Sequence, residues 1–156
     1  MVVRNAEPDE IDQLAALWHQ GWHESHASLV PTELTAIRTL DNFRGRLEHA
    51  LRSIRVVGPR GAPLGFCIVR DDELYQLFVS PAARGSGAAA ALIDDAEARL
   101  SGCGVKTAWL SCAIGNDRAA RFYEKRGWRR AATIVYHAET PNGHFPLEVW
   151  RYEKPL

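Results

Sequence analysis

No stretch of this chain approaches the roughly 18 consecutive apolar residues of a membrane-spanning helix, so no membrane partner is expected. Net charge is absent too: 19 Lys and Arg balance 19 Asp and Glu, and nothing marks a general nucleic-acid binder. Cysteine is scarce. Cys67, Cys103 and Cys112 are odd in number and form no C-x-x-C pair. That pattern argues against a disulfide framework or a structural zinc site and suits reduced thiols. Met1-Val2-Val3-Arg4-Asn5 lacks the pattern of a secretory signal. There is no internal repeat, low-complexity segment or linker. The expectation is a single cytoplasmic domain over residues 1–156.

What is present is ordinary globular composition, 46% hydrophobic and 24% charged. The charge is unevenly spread. Residues 1–50 hold four Lys/Arg against eight Asp/Glu, and the remainder is correspondingly basic. This division suits an anionic cofactor and a cationic co-substrate.

The most informative stretch runs from Leu77 to Leu92. Leu77, Phe78 and Val79 have strand character. Pro81 ends the strand, Gly85 and Gly87 let the backbone bend and approach a ligand, and an alanine run opens a helix from about Gly85 to Leu100. A helix start offers unpaired N–H groups and a partial positive charge. With Arg84 beside it, the corner suits a phosphate. Gly85-x-Gly87-x-x-Ala90 also matches the dinucleotide fingerprint, but no carboxylate stands about 20 residues on, where Gly104 to Thr107 lie.

Taken in order, Val2 to Arg4 reads as a strand, and a helix starts at Glu7-Pro8-Asp9-Glu10. Trp18 to His26 holds two tryptophans and three histidines around Gly21, which weakens a helix there but need not end it. A second helix begins with Thr32 as its cap and runs through Leu47, with a break near Asp41. Strands follow at 54–57, 65–69 and 74–79, then the alanine-rich helix and a strand at 107–112. A helix capped by Asn116-Asp117 is stopped by Gly127, and two last strands cover 131–138 and 147–152. The order is β-α-α-β-β-β-α-β-α-β-β, an α/β (mixed α+β) layout: a mostly antiparallel mixed sheet of about seven strands with helices packed on it. The strands flanking the alanine-rich helix should be parallel.

Arg84-x-x-Gly87-x-Ala89 followed by Asn116-x-x-Ala119-x-x-Phe122-Tyr123-Glu124-Lys125-x-Gly127-Trp128 resembles the two conserved blocks of the GNAT N-acetyltransferase superfamily, with Trp128 where Phe is commoner. The resemblance covers nearly the whole chain. It implies the GNAT-type fold with helices on both faces and a splayed strand pair, ending here at Val79 and Cys112. It also implies direct transfer from acetyl-CoA to an amine, a small molecule or a protein amino group. The alternative is a non-catalytic acyl-CoA-binding module.

In that resemblance, N–H groups across Arg84, Gly85, Ser86, Gly87, Ala88 and Ala89 hold the pyrophosphate. Backbone groups near Leu77, Phe78 and Val79 pair with the pantetheine arm and polarise the thioester. Asn116, Ala119 and Phe122 flank the arm from the other side. Tyr123 stands at the general-acid position, as a phenol that is protonated at pH 7. Glu73, eleven residues before Arg84, matches the base of histone-type relatives, and its other reading is a solvated turn residue. A water chain oriented by Gln76 or His26 is the alternative base.

The acceptor wall is expected from Trp22, His26 and Val30, with Leu29 and Phe43 as further candidates. Ser111 or Cys112 with His137 or His144 as base is a nucleophile reading that no elbow motif supports. His19, His23 and His26 share a helical face, but Gln20 replaces the glutamate of a zinc hydrolase, and no metal is expected. Relatives are often homodimers, though no interface is identifiable in the sequence.

Overall fold

The computed structural model describes all residues, 1–156. Seven strands form one sheet: β1 (Val3–Asn5), β2 (Ile54–Val57), β3 (Gly65–Arg70), β4 (Glu73–Val79), β5 (Thr107–Ala113), β6 (Arg129–Thr140) and β7 (Gly143–Pro155). They lie in the order β1-β2-β3-β4-β5-β7-β6, and every neighbouring pair except β4–β5 is antiparallel. This mostly antiparallel sheet is not the mostly parallel sheet on which a dinucleotide-binding fingerprint sits.

Helices cover both faces. On one, α1 (Ile11–His26) and α3 (Leu40–Ala50) bury Leu14, Trp18, Phe43 and Leu47 against Val56, Phe66 and Ile68. On the other, α4 (Ala88–Gly102) and α5 (Asp117–Lys125) bury Leu92, Ile93, Ala96 and Ala120 against Cys67, Leu110 and Tyr152. Phe66 and Cys67 therefore go to opposite cores, as the two-residue period of a strand demands. No helix is long and apolar enough to cross a membrane.

Gly21, which weakens a helix without having to end it, leaves α1 continuous to His26. Four boundaries depart from the sequence reading. The helical break falls at Arg38-Thr39 rather than near Asp41. It separates α2 (Thr32–Ile37) from α3, and the Thr39 side chain accepts from the Asn42 N–H to cap α3. Thr32 is the first residue of α2 and not its cap. The alanine-rich helix begins at Ala88, because Gly85 and Gly87 have φ of 78° and 89° and hold the preceding loop outside helical conformation. The last two strands are longer than hydrophobicity alone suggests. They pair continuously from Arg129 with Glu153 to Thr140 with Gly143, a cross-strand register that fixes their length.

Candidate functional site

The site is created by an irregularity in β4. Its pairing with β3 slips between Ile68 and Val69, so that Gln76 faces Ile68, Leu74 faces Val69 and Tyr75 is the extra residue of a bulge. On its other edge β4 joins β5 only at its start. Glu73 is in register with Trp109, and the Trp109 N–H donates to the Asp72 carbonyl. Beyond that point the two strands share no further pairs, and a cavity of about 160 Å³ occupies the gap.

Strand alternation aims backbone groups into this gap. Ser80 N–H donates to the Leu64 carbonyl on the β3 side. Phe78 therefore also turns its N–H and C=O to β3, whereas Leu77 and Val79 turn theirs toward β5. Leu77 and Phe78 line the cavity, and Val79 packs into the α4 core beside it. Opposite them, Asn116 and Ala119 line the wall. The Asn116 Oδ1 accepts from the Ala119 N–H at 3.4 Å to cap α5, which leaves its amide NH₂ free to donate. Phe122 lies outside the wall, edge-on to Tyr123.

At the end of β4 the loop before α4 forms an open cradle. Gly85 and Gly87 lie in the left-handed region, and a Cβ on either would meet nothing within 4 Å. Ser86 Oγ accepts from the Ala88 N–H. The N–H groups of Gly85, Gly87, Ala89 and Ala90 find no acceptor within the chain. Four unpaired donors at a helix start are a fit for an anionic group, with the exposed Arg84 at the rim. Ala88 is buried beneath the loop and anchors it.

Tyr123 is 9% exposed and lines the cavity between Cys112 and Asn116. Burial pushes its phenol well above the ordinary tyrosine range, and no hydrogen bond to a protein group offsets this. It is a proton donor with nothing in the chain to donate to. The Cys112 thiol beside it is pushed up to about 12, again by burial. It is thus a protonated wall group and not a nucleophile. His137 and His144, its suggested partners, sit exposed on the β6–β7 hairpin, 6.5 Å apart.

The residues expected on the acceptor side, Trp22, His26, Val30 and Gln76, all line the same cavity. The His26 ring stacks on Trp22, with centroids 5.5 Å apart and planes 9° apart, and its Nδ1 lies 2.7 Å from Ser25 Oγ. Burial lowers its pKa to about 4, so it is neutral at pH 7. His19 and His23 face one another at 4.5 Å, and His23 Nε2 is engaged with the Arg38 carbonyl at 2.8 Å. Phe43 belongs to the α1–α3 core, and Leu29 is exposed.

Glu73 is buried, at 5% exposure, and is not a solvated turn residue. It does not touch the cavity. Its Oε2 accepts from the hydroxyl of Tyr136, which does line it, at 2.9 Å. Burial raises the Glu73 pKa above the ordinary carboxylate range, and the Tyr136 hydrogen bond and Arg70 at 3.7 Å only partly oppose that.

Five cavity residues had no signal in the sequence: Arg38, Arg46, Tyr75, Tyr136 and Glu139. Arg46 Nη2 donates to Tyr75 Oη at 3.0 Å, and the Tyr75 hydroxyl donates to Glu139. The Arg46 guanidinium stacks 4.4 Å over Trp18. Arg38 Nη1 donates to Asn42 Oδ1 at 2.9 Å and to the Glu139 carbonyl at 2.8 Å. The cationic co-substrate suggested by the acidic first third of the chain finds no support here. Those acids form pairs elsewhere, as in Asp9 with Arg60, Glu10 with Arg4 and Asp12 with Arg44, and the charge they leave in the cavity is positive.

Comparison with known proteins agrees with this geometry. Residues 13–128 match the acetyltransferase (GNAT) family. The chain is 33% identical over 118 residues to an uncharacterised N-acetyltransferase of Mycobacterium tuberculosis, covering 72% of this chain and 73% of that one. Its fold is similar to a GCN5-related N-acetyltransferase from Rhodopseudomonas palustris, with a TM-score of 0.77 at 21% identity over 99% of this chain and 95% of that one. It is also similar to the PaiA N-acetyltransferase of Thermoplasma acidophilum in complex with coenzyme A, with a TM-score of 0.69 at 16% identity over 99% and 98% of the two chains.

Proposed function

The chain belongs to the GNAT acetyltransferase family, and from that premise we propose that it moves an acetyl group from acetyl-CoA directly to an amine. The observation that carries this reading is the parting of β4 from β5 beyond Glu73 and Trp109, with the unpartnered Tyr123 hydroxyl in the gap. The coenzyme A held by the Thermoplasma relative supports the choice of donor.

Bound acetyl-CoA would supply an activated thioester; the protein supplies position and protons. The free N–H groups of Gly85, Gly87, Ala89 and Ala90 hold the pyrophosphate. Leu77 and Val79 offer their outward backbone groups to the pantetheine arm, and Asn116 donates from the opposite wall. A backbone N–H on the β4 side polarises the carbonyl, which is oxyanion-type stabilisation. Tyr123 donates its proton to the departing thiolate.

The ammonium of the acceptor must first lose a proton. Glu73 is the proton sink, reached through Tyr136: the Tyr136 oxygen takes the amine proton as its own passes to Glu73. Glu73 is thus a positioning and relay residue behind the group that meets the acceptor. Gln76 and the neutral His26 orient water along the same wall.

Release of free thiol from acetyl-CoA across a panel of amines tests the reading. Tight acetyl-CoA binding with no turnover on any amine would make the protein an acyl-CoA-binding module instead.

A further inference from the structure

Among the residues lining the cavity, three carry ionised side chains: Arg38, Arg46 and Glu139. One carboxylate faces two guanidinium groups, and His26 is neutral. The Glu139 carboxylate is already shared by the Tyr75 hydroxyl and by Arg46, whose Nε lies 3.5 Å from it. Even so, that Nε is buried without a hydrogen-bond partner.

Arg38 is the sharper case. It is 4% exposed, and no carboxylate lies within ion-pairing distance of it. Its one engaged nitrogen, Nη1, is held by two neutral oxygens, which leaves Nε and Nη2 without protein partners beside the cavity. Buried arginines are ordinarily paired, because an uncompensated buried charge is strongly destabilising. Burial and the neighbouring Arg46 lower its pKa to about 10, and it still carries its charge at pH 7.

The missing anion is not the pyrophosphate of the donor. Arg38 holds the Glu139 carbonyl, and Arg46 holds the hydroxyl of Tyr75, the bulged residue of β4 that reaches the Glu139 carboxylate; the N–H cradle follows Val79 at the other end of that strand. Four residues of strand separate the two, roughly 13 Å. The arginines thus belong to the acceptor half of the cavity, with Trp22 and Tyr136.

We propose that the acceptor carries a carboxylate beside its amine, as an amino acid or close analogue does, and that Arg38, with Arg46 adjacent, holds that carboxylate. The proposal rests on the acetyl-transfer reading of the same site. The planar fork of Arg38 suits bidentate recognition of a carboxylate. The excess positive charge also disfavours a polyamine or any acceptor whose only charges are positive.

The test compares thiol release for the common L-amino acids, their α-carboxamides, and the amines left when the carboxylate is removed. Calorimetry on protein saturated with CoA compares N-acetyl amino acids with N-acetyl amino-acid amides. At least one amino acid should exceed its carboxamide in kcat/KM by about 10–100-fold. That ratio should fall toward one in Arg38→Gln and be partly kept in Arg38→Lys. Carboxamides or simple amines reacting as well as the acids would overturn the proposal, as would an unchanged ratio in a folded Arg38→Gln. The wild-type comparison needs no variant to fold. Should no amine turn over while CoA still binds, the transfer reading fails, and the calorimetric preference for the free carboxylate decides this proposal by itself.

Discussion

The ring of Phe78 occupies the place where a side chain on Gly21 would begin: an ideal Cβ there would stand 1.9 Å from Cζ of that ring. Glycine in the middle of α1 is thus a packing requirement. It lets the helix close on β4 at the strand residue that borders the cavity. Gly21→Ala should destabilise the fold by about 1–3 kcal/mol, the usual cost of overpacking. Urea denaturation measures this. In a double-mutant cycle with Phe78→Leu the two changes should couple favourably by at least about 0.5 kcal/mol. Strict additivity would mean that the helix shifts as a whole and the contact is not specific.

Gly87→Ala probes the cradle. The methyl meets no protein atom, but φ of 89° is unfavourable for any L residue, at about 1–2 kcal/mol. Thermal stability should fall only slightly, while CoA affinity drops by an order of magnitude or more as the backbone donors shift. Gly87→Val should abolish binding. Calorimetric titration with CoA checks both variants, and unchanged affinity in Gly87→Val would remove the loop from the anion site. Arg84→Ala should weaken binding less, since the backbone donors remain.

Tyr123→Phe deletes a hydroxyl that bonds to nothing in the chain, so stability should be nearly unchanged. Turnover should fall by about 10²–10⁴-fold, the usual range for a general acid, with acetyl-CoA affinity within a few-fold of wild type. Wild-type turnover in this variant would show that the thiolate finds its proton elsewhere.

Glu73→Gln separates stability from rate. Burial raises the folded-state pKa of Glu73 above its unfolded value. The protonated form is therefore favoured by folding, and stability is lost as pH rises from the ordinary carboxylate value through the raised one. Glutamine does not titrate, so the variant should be more stable than wild type at pH 7, with the difference vanishing on acidification. Its rate should be lower, and the fall in rate on the acid side of the pH profile should disappear with the titrating group. Melting curves and pH–rate profiles run on the same samples check both halves. A variant less stable than wild type at pH 7 would show that Tyr136 and Arg70 outweigh burial, and an unchanged rate profile would end the relay.

Much of this protein follows from chemistry local in the chain. Glycines at 85 and 87, a capping asparagine at 116 and a stop at Gly127 act within a few residues of themselves. The glycine loop before α4, the limits of α5 and the family are accordingly legible in the sequence. So is the two-faced sheet, which the family resemblance implies and which Phe66 and Cys67 of β3 realise by packing into separate cores. What the sequence could not express is whatever depends on partners far along the chain. The lengths of β6 and β7 come from their mutual register, and the need for Gly21 comes from Phe78. The hydrogen bond that the Glu73 carboxylate accepts comes from Tyr136, 63 residues away. The sign of the charge in the cavity was the furthest from view. Arg38 follows α2, Arg46 stands on α3, Tyr75 on β4 and Glu139 on β6. Chain composition suggests a cation for this cavity; only folding cancels the acids against surface arginines and leaves two guanidinium groups facing one carboxylate.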